Sequence, residues 1–182
     1  MVTDGEAAIV LYEGYVRGPG RSHALLRRAA ALCGYADAAL TLGYAPGGKA
    51  YFEDLPELRF SISHTDGLWA CAFAREAVGL DVQKRRACEK EKLAARFFHP
   101  AEAAFVKDGG DFFAVWCAKE SYVKLTGRGI DAGFGAFSTV GTADRPAVYL
   151  YEIDVPEGYA ARLCTRGAVR VRQIRMARGT AV

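Results

Sequence analysis

At 182 residues the chain is long enough to bury a full core, as one domain or as two small, tightly packed halves. Apolar residues make up 51%, charged residues 25%, and the net charge is a modest +3, the balance of a soluble globular protein and not of a strongly basic nucleic-acid binder. No stretch approaches the roughly 20 apolar residues that span a bilayer. The opening MVTDGEAAIV lacks a basic run followed by a long apolar one, so the expected location is the cytoplasm.

A strand is expected over 9–16, closed by the turn residues Arg17-Gly18-Pro19-Gly20. Ser22 is suited to cap a helix running to about residue 32, with Leu25, Leu26, Ala29 and Leu32 on one side and Gly34 as its stop. Gly and Pro make 44–50 a loop, which carries Lys49. Short apolar runs predict strands over 59–63, 68–74 and 78–83. His64-Thr65-Asp66-Gly67 forms the turn after the first, and Arg75-Glu76-Ala77 a hairpin between the second and third. Residues 89–98 read as a helix, and His99-Pro100-Ala101-Glu102 starts another, with Pro100 at a favoured first position and Glu102 at the positive end of the dipole. Gly109-Gly110 precedes a long helix over 111–125 that stops at Gly127. Strands are then expected over 137–140, 147–153 and 162–175. This order reads as an α+β fold with mostly antiparallel sheet. Its strand–helix pattern occurs twice, which permits two related halves.

The five cysteines form no CxxC pair, and Cys71 and Cys117 sit inside apolar runs, so buried, inert thiols are expected. Six arginines and no acid lie between Gly158 and Val182. They suit either a solvated strand face or a surface that docks an acidic partner.

Asp81 and Gln83 lie two apart on the strand 78–83, so they share one face while Leu80 and Val82 turn to the other. Glu120 follows Lys119 on the long helix, with Trp116 and Lys124 one turn before and after it. Two oxygen ligands from a strand and a carboxylate from a helix suit a hard divalent cation such as Mg²⁺. Neighbouring lysines suit the phosphates that accompany such a cation, so the combination points to chemistry on a pyrophosphate. The plain alternatives are an Asp81 paired with Lys84 or Arg85, and a surface Glu120–Lys124 pair worth roughly 0.3 kcal/mol. Ser63-His64-Thr65, at a strand end, can hold a phosphate or make local turn hydrogen bonds. Lys49 follows Gly47-Gly48, which allow close backbone approach. His23 and His99 read as cap or surface histidines.

Taken in order, these pieces resemble the pseudo-dimeric 4′-phosphopantetheinyl transferases that activate carrier proteins of peptide and polyketide synthesis. The matching residues are Gly48-Lys49, Phe60-Ser61-Ile62-Ser63-His64-Thr65 and Gly79-Leu80-Asp81-Val82, then Arg96-Phe97-Phe98 with Glu102. Trp116 with Lys119-Glu120-Ser121 and Lys124, and Gly127-Arg128-Gly129-Ile130, complete the series. The resemblance covers roughly residues 47–138, with a weaker echo to about 164.

The resemblance implies two similar αβ halves related by a pseudo-twofold axis, residues 1–76 and 77–182, the second carrying the metal site. Coenzyme A would lie in the cleft between them. Its 4′-phosphopantetheine arm would move to a serine of an apo acyl or peptidyl carrier protein, with release of adenosine 3′,5′-bisphosphate. Mg²⁺, with Mn²⁺ as a substitute, would be held by Asp81 and Glu120, with Gln83 beside them. Glu120, Lys124 and Lys119 would be catalytic, Glu120 also being the best candidate for the base. Lys49, Ser63 and His64 would contact coenzyme A, with His64 aimed at the 3′-phosphate. A chain with both halves is expected to work as a monomer, with no nucleic-acid or membrane partner. Two residues depart from the pattern: Gln83 stands where a second acid is common, and Ala50 where a proline often follows the lysine. Gln83 is the feature that favours the alternative, a catalytically degenerate module binding coenzyme A or a carrier protein.

Overall fold

In the computed structural model, which describes residues 1–36, 38–127, 133–141, 144 and 146–177, the chain runs β1 (Glu6–Tyr15), α1 (Arg21–Leu32), β2 (Leu42–Tyr44), β3 (Ala50–Phe52), β4 (Arg59–Thr65), β5 (Gly67–Ala74) and β6 (Val78–Lys84). It continues through α2 (Lys90–Phe97), α3 (Pro100–Lys107), α4 (Phe112–Thr126), a short 3₁₀ turn (Phe134–Ala136), β7 (Tyr149–Glu152), β8 (Tyr159–Thr165) and β9 (Arg170–Arg175). The architecture is α+β. The first sheet has the order β4-β5-β1-β9, antiparallel except for the β1–β9 pair; the second has the order β6-β8-β7, and β2 and β3 form a separate hairpin. Among the described residues no helix is long and apolar enough to cross a membrane.

Strand periodicity explains how the layers stack. Ala8 and Val10 of β1, with Trp69, Cys71 and Phe73 of β5, face α1 and meet Leu25, Leu26, Ala29 and Ala30. The alternate residues Ala7, Ile9, Leu11, Leu68, Ala70 and Ala72 face the second sheet and meet Val78, Leu80, Val82 and Leu163. A third cluster, around Phe98, Phe112, Phe113 and Val123, joins α2, α3 and α4. Both faces of β1 and β5 are therefore buried, which is why these strands are almost wholly apolar.

Several expectations change. Residues 75–77 do not form a hairpin, because β4 and β1 already occupy both edges of β5; the chain passes instead to the second sheet, where β6 pairs with β8. The run 162–175 is two strands. The Thr165 hydroxyl donates to the Gly167 carbonyl at 2.8 Å and closes a bend, after which β9 returns to lie beside β1. Residues 137–140 are not a strand, since Phe137 and Ser138 are buried in irregular chain after the 3₁₀ turn. The ends of the loop 44–50 pair as the β2–β3 hairpin. Gly20, with φ 69°, precedes α1 in place of a Ser22 cap, and the Ser22 hydroxyl accepts the Trp69 indole N–H at 2.9 Å. The boundary at 76/77 falls between the two sheets, and β9 crosses it.

Three of the arginines near the C-terminus are neutralised by the fold itself. Arg172 donates to the buried Glu6 at 2.6 Å, Arg175 bridges Glu13 and Asp154, and Arg162 meets Glu152 at 3.1 Å. Arg178 lies outside the described residues. Chiefly through the Arg172 hydrogen bond, the Glu6 carboxyl is held at about 2 against an ordinary 4.5. A lowered carboxyl contributes stability that is present above 4.5 and lost as pH falls toward 2. Arg172→Met is expected to cost about 2 kcal/mol at pH 7, less than for a fully buried pair because Arg172 is partly solvated. Urea unfolding at a series of pH values should show that gap closing between pH 4.5 and 2.

Candidate active site

The site is built where α4 lies across β6. The residue facing α4 at the start of β6 is Gly79: a Cβ there would sit 1.9 Å from the Ser121 carbonyl oxygen. Only glycine lets helix and strand backbones approach so closely. Asp81 comes two residues later on the same face, so its carboxylate stands level with the helix residues Glu120 and Lys124. At its N-terminus α4 is capped by Asp111, which accepts from the amides of Phe113 and Ala114 at 3.0 and 3.2 Å. At its C-terminus Gly127 adopts φ 69°.

Asp81 is 2% exposed and fully engaged. Its Oδ1 accepts from the Lys124 ammonium and from the Ser63 hydroxyl, both at 2.8 Å, and its Oδ2 accepts from the Gln83 amide at 3.0 Å. Ser63 in turn accepts the Val82 N–H at 3.1 Å. This is one rung of a series. Ser61 accepts from the Leu80 N–H at 3.0 Å and Thr65 from the Lys84 N–H at 3.4 Å, so hydroxyls at alternate positions of β4 satisfy the open edge of β6.

Glu120 differs from Asp81. It is 8% exposed, yet among the described residues no protein group donates a hydrogen bond to it. Burial first, and the Asp81 charge second, push its carboxyl above the usual range, with Lys124 opposing. Two carboxylates against one lysine leave an excess negative charge at this point. Both line a cavity of about 700 Å³, together with Gln83, Lys124, Ser63 and His64. Its apolar wall includes Phe60, Ile62, Leu93, Phe112, Phe113 and Trp116. The size and the few convergent polar groups suit a small-molecule site. A second cavity of about 380 Å³ shares Glu120 and Lys124 and reaches Gly47, Gly48 and Lys49.

Of the residues singled out in the sequence, the structure thus brings together Asp81, Gln83, Glu120, Lys124, Ser63 and His64. The His64 ring packs against Tyr15 at 5.0 Å, and burial, with the Arg17 and Lys124 charges, lowers its pKa. Ser63 is committed to Asp81. Lys119 is elsewhere: on a different face of α4 it is wholly buried, donating to Glu102 at 2.6 Å and to the Phe137 carbonyl at 2.7 Å. Adjacent helical residues point about 100° apart, so Lys119 and Glu120 do not share a site. The Lys49 ammonium also faces main chain and not the larger cavity. Residues 128–130 lie outside the described residues. Arg86 and Cys88, not singled out, and Ser22 and His23, read as cap or surface residues, also line the larger cavity, since only the tertiary fold brings the first turn of α1 and the segment after β6 to it. Cys88 is exposed, whereas the other cysteines are buried, and all are free.

Among the described residues no cluster of three or more His, Cys, Asp or Glu forms a metal site. The donor set is two carboxylates and an amide, all hard oxygen donors. The unpartnered, charge-raised Glu120 facing the cavity beside Asp81 fits a hard cation that completes its shell from phosphate and water.

Residues 77–165 match the family model of the 4′-phosphopantetheinyl transferase superfamily. A 4′-phosphopantetheinyl transferase of Bacillus subtilis is 31% identical over 142 residues, 74% of this chain and 61% of the relative. The 4′-phosphopantetheinyl transferase Sfp of Bacillus subtilis strain 168 is 36% identical over 98 residues, covering 50% and 43%. The 4′-phosphopantetheinyl transferase HetI of Nostoc is 38% identical over 82 residues, covering 40% and 34%. The chain spans about half the length of the curated relatives it matches.

Proposed function

Because the chain belongs, through residues 77–165, to the 4′-phosphopantetheinyl transferase superfamily, we propose that it transfers the 4′-phosphopantetheine arm of coenzyme A to a serine of an apo acyl or peptidyl carrier protein. The observation that carries this reading is the meeting of Asp81, Glu120 and Lys124 in one cavity lined by α1, β4, β6 and α4. The reading includes two similar αβ halves about a pseudo-twofold axis, supported by a sheet covered by α1 and a sheet covered by α4, with β9 exchanged from the second half into the first sheet. It includes action as a monomer in the cytoplasm.

In the proposed reaction the carrier serine oxygen bonds to the phosphorus bearing the pantetheine arm. The bond from that phosphorus to the bridging oxygen breaks, and adenosine 3′,5′-bisphosphate leaves. Asp81 and Glu120, with the Gln83 amide oxygen, would hold Mg²⁺ or Mn²⁺, which when bound neutralises charge on the attacked phosphate. Glu120 takes the serine proton, and burial with the Asp81 charge beside it makes its carboxylate more basic than an ordinary one. Lys124 holds Asp81 in place and offers its charge to the phosphate oxygens. His64, at the cavity wall, donates to the 3′-phosphate, and the bound anion draws its pKa back up.

The test is the intact mass of an apo acyl carrier protein after incubation with this protein, coenzyme A and Mg²⁺. One phosphopantetheine adduct that requires the metal is expected. A second reading, a coenzyme A binding module without turnover, is favoured by Gln83, which donates to Asp81 where an acid would add charge. Coenzyme A binding with no adduct on fatty-acid, peptide or polyketide carriers would establish it.

A further inference from the structure

We propose that Lys49 is a positioning residue: from the β2–β3 hairpin it clamps the last turn of α4 onto β6 and so sets the spacing of Glu120 and Lys124 from Asp81. Its ammonium donates to the carbonyls of Lys124 at 2.7 Å, Val78 at 3.0 Å and, more weakly, Leu125 at 3.5 Å. An ammonium has three N–H groups, and here each meets a main-chain oxygen, which leaves none for a phosphate. The carbonyls at 124 and 125 are among the last of α4, which lack partners within the helix and form the negative end of its dipole.

Two glycine contacts brace the same junction. A Cβ on Gly47 would lie 2.4 Å from the Gly127 oxygen, and one on Gly79 would lie 1.9 Å from the Ser121 oxygen. The hairpin, β6 and α4 thus meet backbone to backbone, and the Lys49 side chain bonds both β6 and α4 there. The far end of α4 is tied separately, by Arg85 donating to Asp111 at 2.7 and 2.5 Å. Between these two ties lies the helix that carries Glu120 and Lys124. Lys49 thereby acts on the site from the first half of the chain without touching a substrate.

The kinetic part of this inference rests on the transferase reading; the structural part does not. The variants are Lys49→Met, the milder Lys49→Gln, and Lys49→Arg, which keeps charge and donors. Hydrogen exchange of the amides of residues 120–127 is measured by mass spectrometry, alongside the coenzyme A dissociation constant and transfer kinetics. With Lys49→Met, exchange in this turn should rise about tenfold or more. Turnover should fall about 10–100-fold through misplacement of the helix, with KM for coenzyme A nearly unchanged. Lys49→Gln should shift both in the same direction by less, and Lys49→Arg should recover most of the protection and turnover. Unchanged exchange in Lys49→Met and Lys49→Gln would overturn the proposal, and a tenfold loss of coenzyme A affinity with it would identify Lys49 as a phosphate contact. If the wild type transfers nothing, the transferase reading fails alone, and the exchange data still decide whether Lys49 holds α4.

Discussion

Glu120→Gln should lower transfer by about 10³-fold, the scale of a lost general base, while making the folded protein more stable at neutral pH. The two effects have one cause. Burial and the neighbouring Asp81 raise the Glu120 carboxyl, so the native state binds its proton more tightly than the unfolded chain does. The stability linked to that proton is fully present below the unfolded value of 4.5 and is lost as pH rises through the raised native value. Glutamine keeps the shape and never ionises, so its thermal midpoint should exceed that of the wild type increasingly above pH 4.5. Mg²⁺ should raise the wild-type midpoint and leave that of Glu120→Gln nearly unmoved. Loss of activity together with loss of stability would instead make Glu120 a structural residue.

Lys119→Met should destabilise the protein by about 3–5 kcal/mol, the usual cost of leaving one partner of a buried ion pair. In a domain of this size that lowers the midpoint by on the order of 10 °C. The Glu102 carboxylate is wholly buried and accepts from Lys119, from the His99 N–H, and from both the amide and hydroxyl of Thr139. The Lys119 ammonium sits 4.0 Å from the centre of the Phe137 ring and is flanked by Phe98 and Phe134. Removing the lysine leaves the Glu102 charge buried without a counter-charge, held only by the His99 and Thr139 donors. Adding Glu102→Leu should recover part of the loss, since no lone charge then remains. Coenzyme A affinity of the folded Lys119→Met protein should match the wild type. The opposite pattern, weaker coenzyme A binding at unchanged stability, would restore Lys119 to the phosphate site. Calorimetry and isothermal titration separate the two outcomes.

How much was legible follows from which physics is local. The start of α3 and the stop of α4 are readable because Pro100, Glu102 and Gly127 act on neighbouring amides and carbonyls, whereas Asp111 reads as the first helical residue and is in fact the cap. The Asp81–Glu120–Lys124 cluster was readable because strand and helix periods set which side chains share a face. The position of Lys119 is not legible, because adjacency in sequence is not adjacency on a helix and its partner Glu102 lies 17 residues away. The alternation of Ser61, Ser63 and Thr65 was visible, but its meaning depends on β6 lying beside β4 without backbone pairing. The split of 162–175 into two strands depends on β1 having a free edge, which no local pattern reports.

The hydroxyl rungs between β4 and β6 also bear on how the chain can be divided. Cut at 76/77, the C-terminal piece would carry a bare row of β6 amides and an orphaned β9, and the N-terminal piece would lack the strand that covers β1. Each fragment would then be a template for adventitious strand pairing. Each would also hold the missing partner of the other, so the pieces are suited to reassemble by reciprocal exchange and poorly suited to exist apart. The Ser63–Asp81 hydrogen bond spans that cut, so neither piece alone would carry both members of this pair.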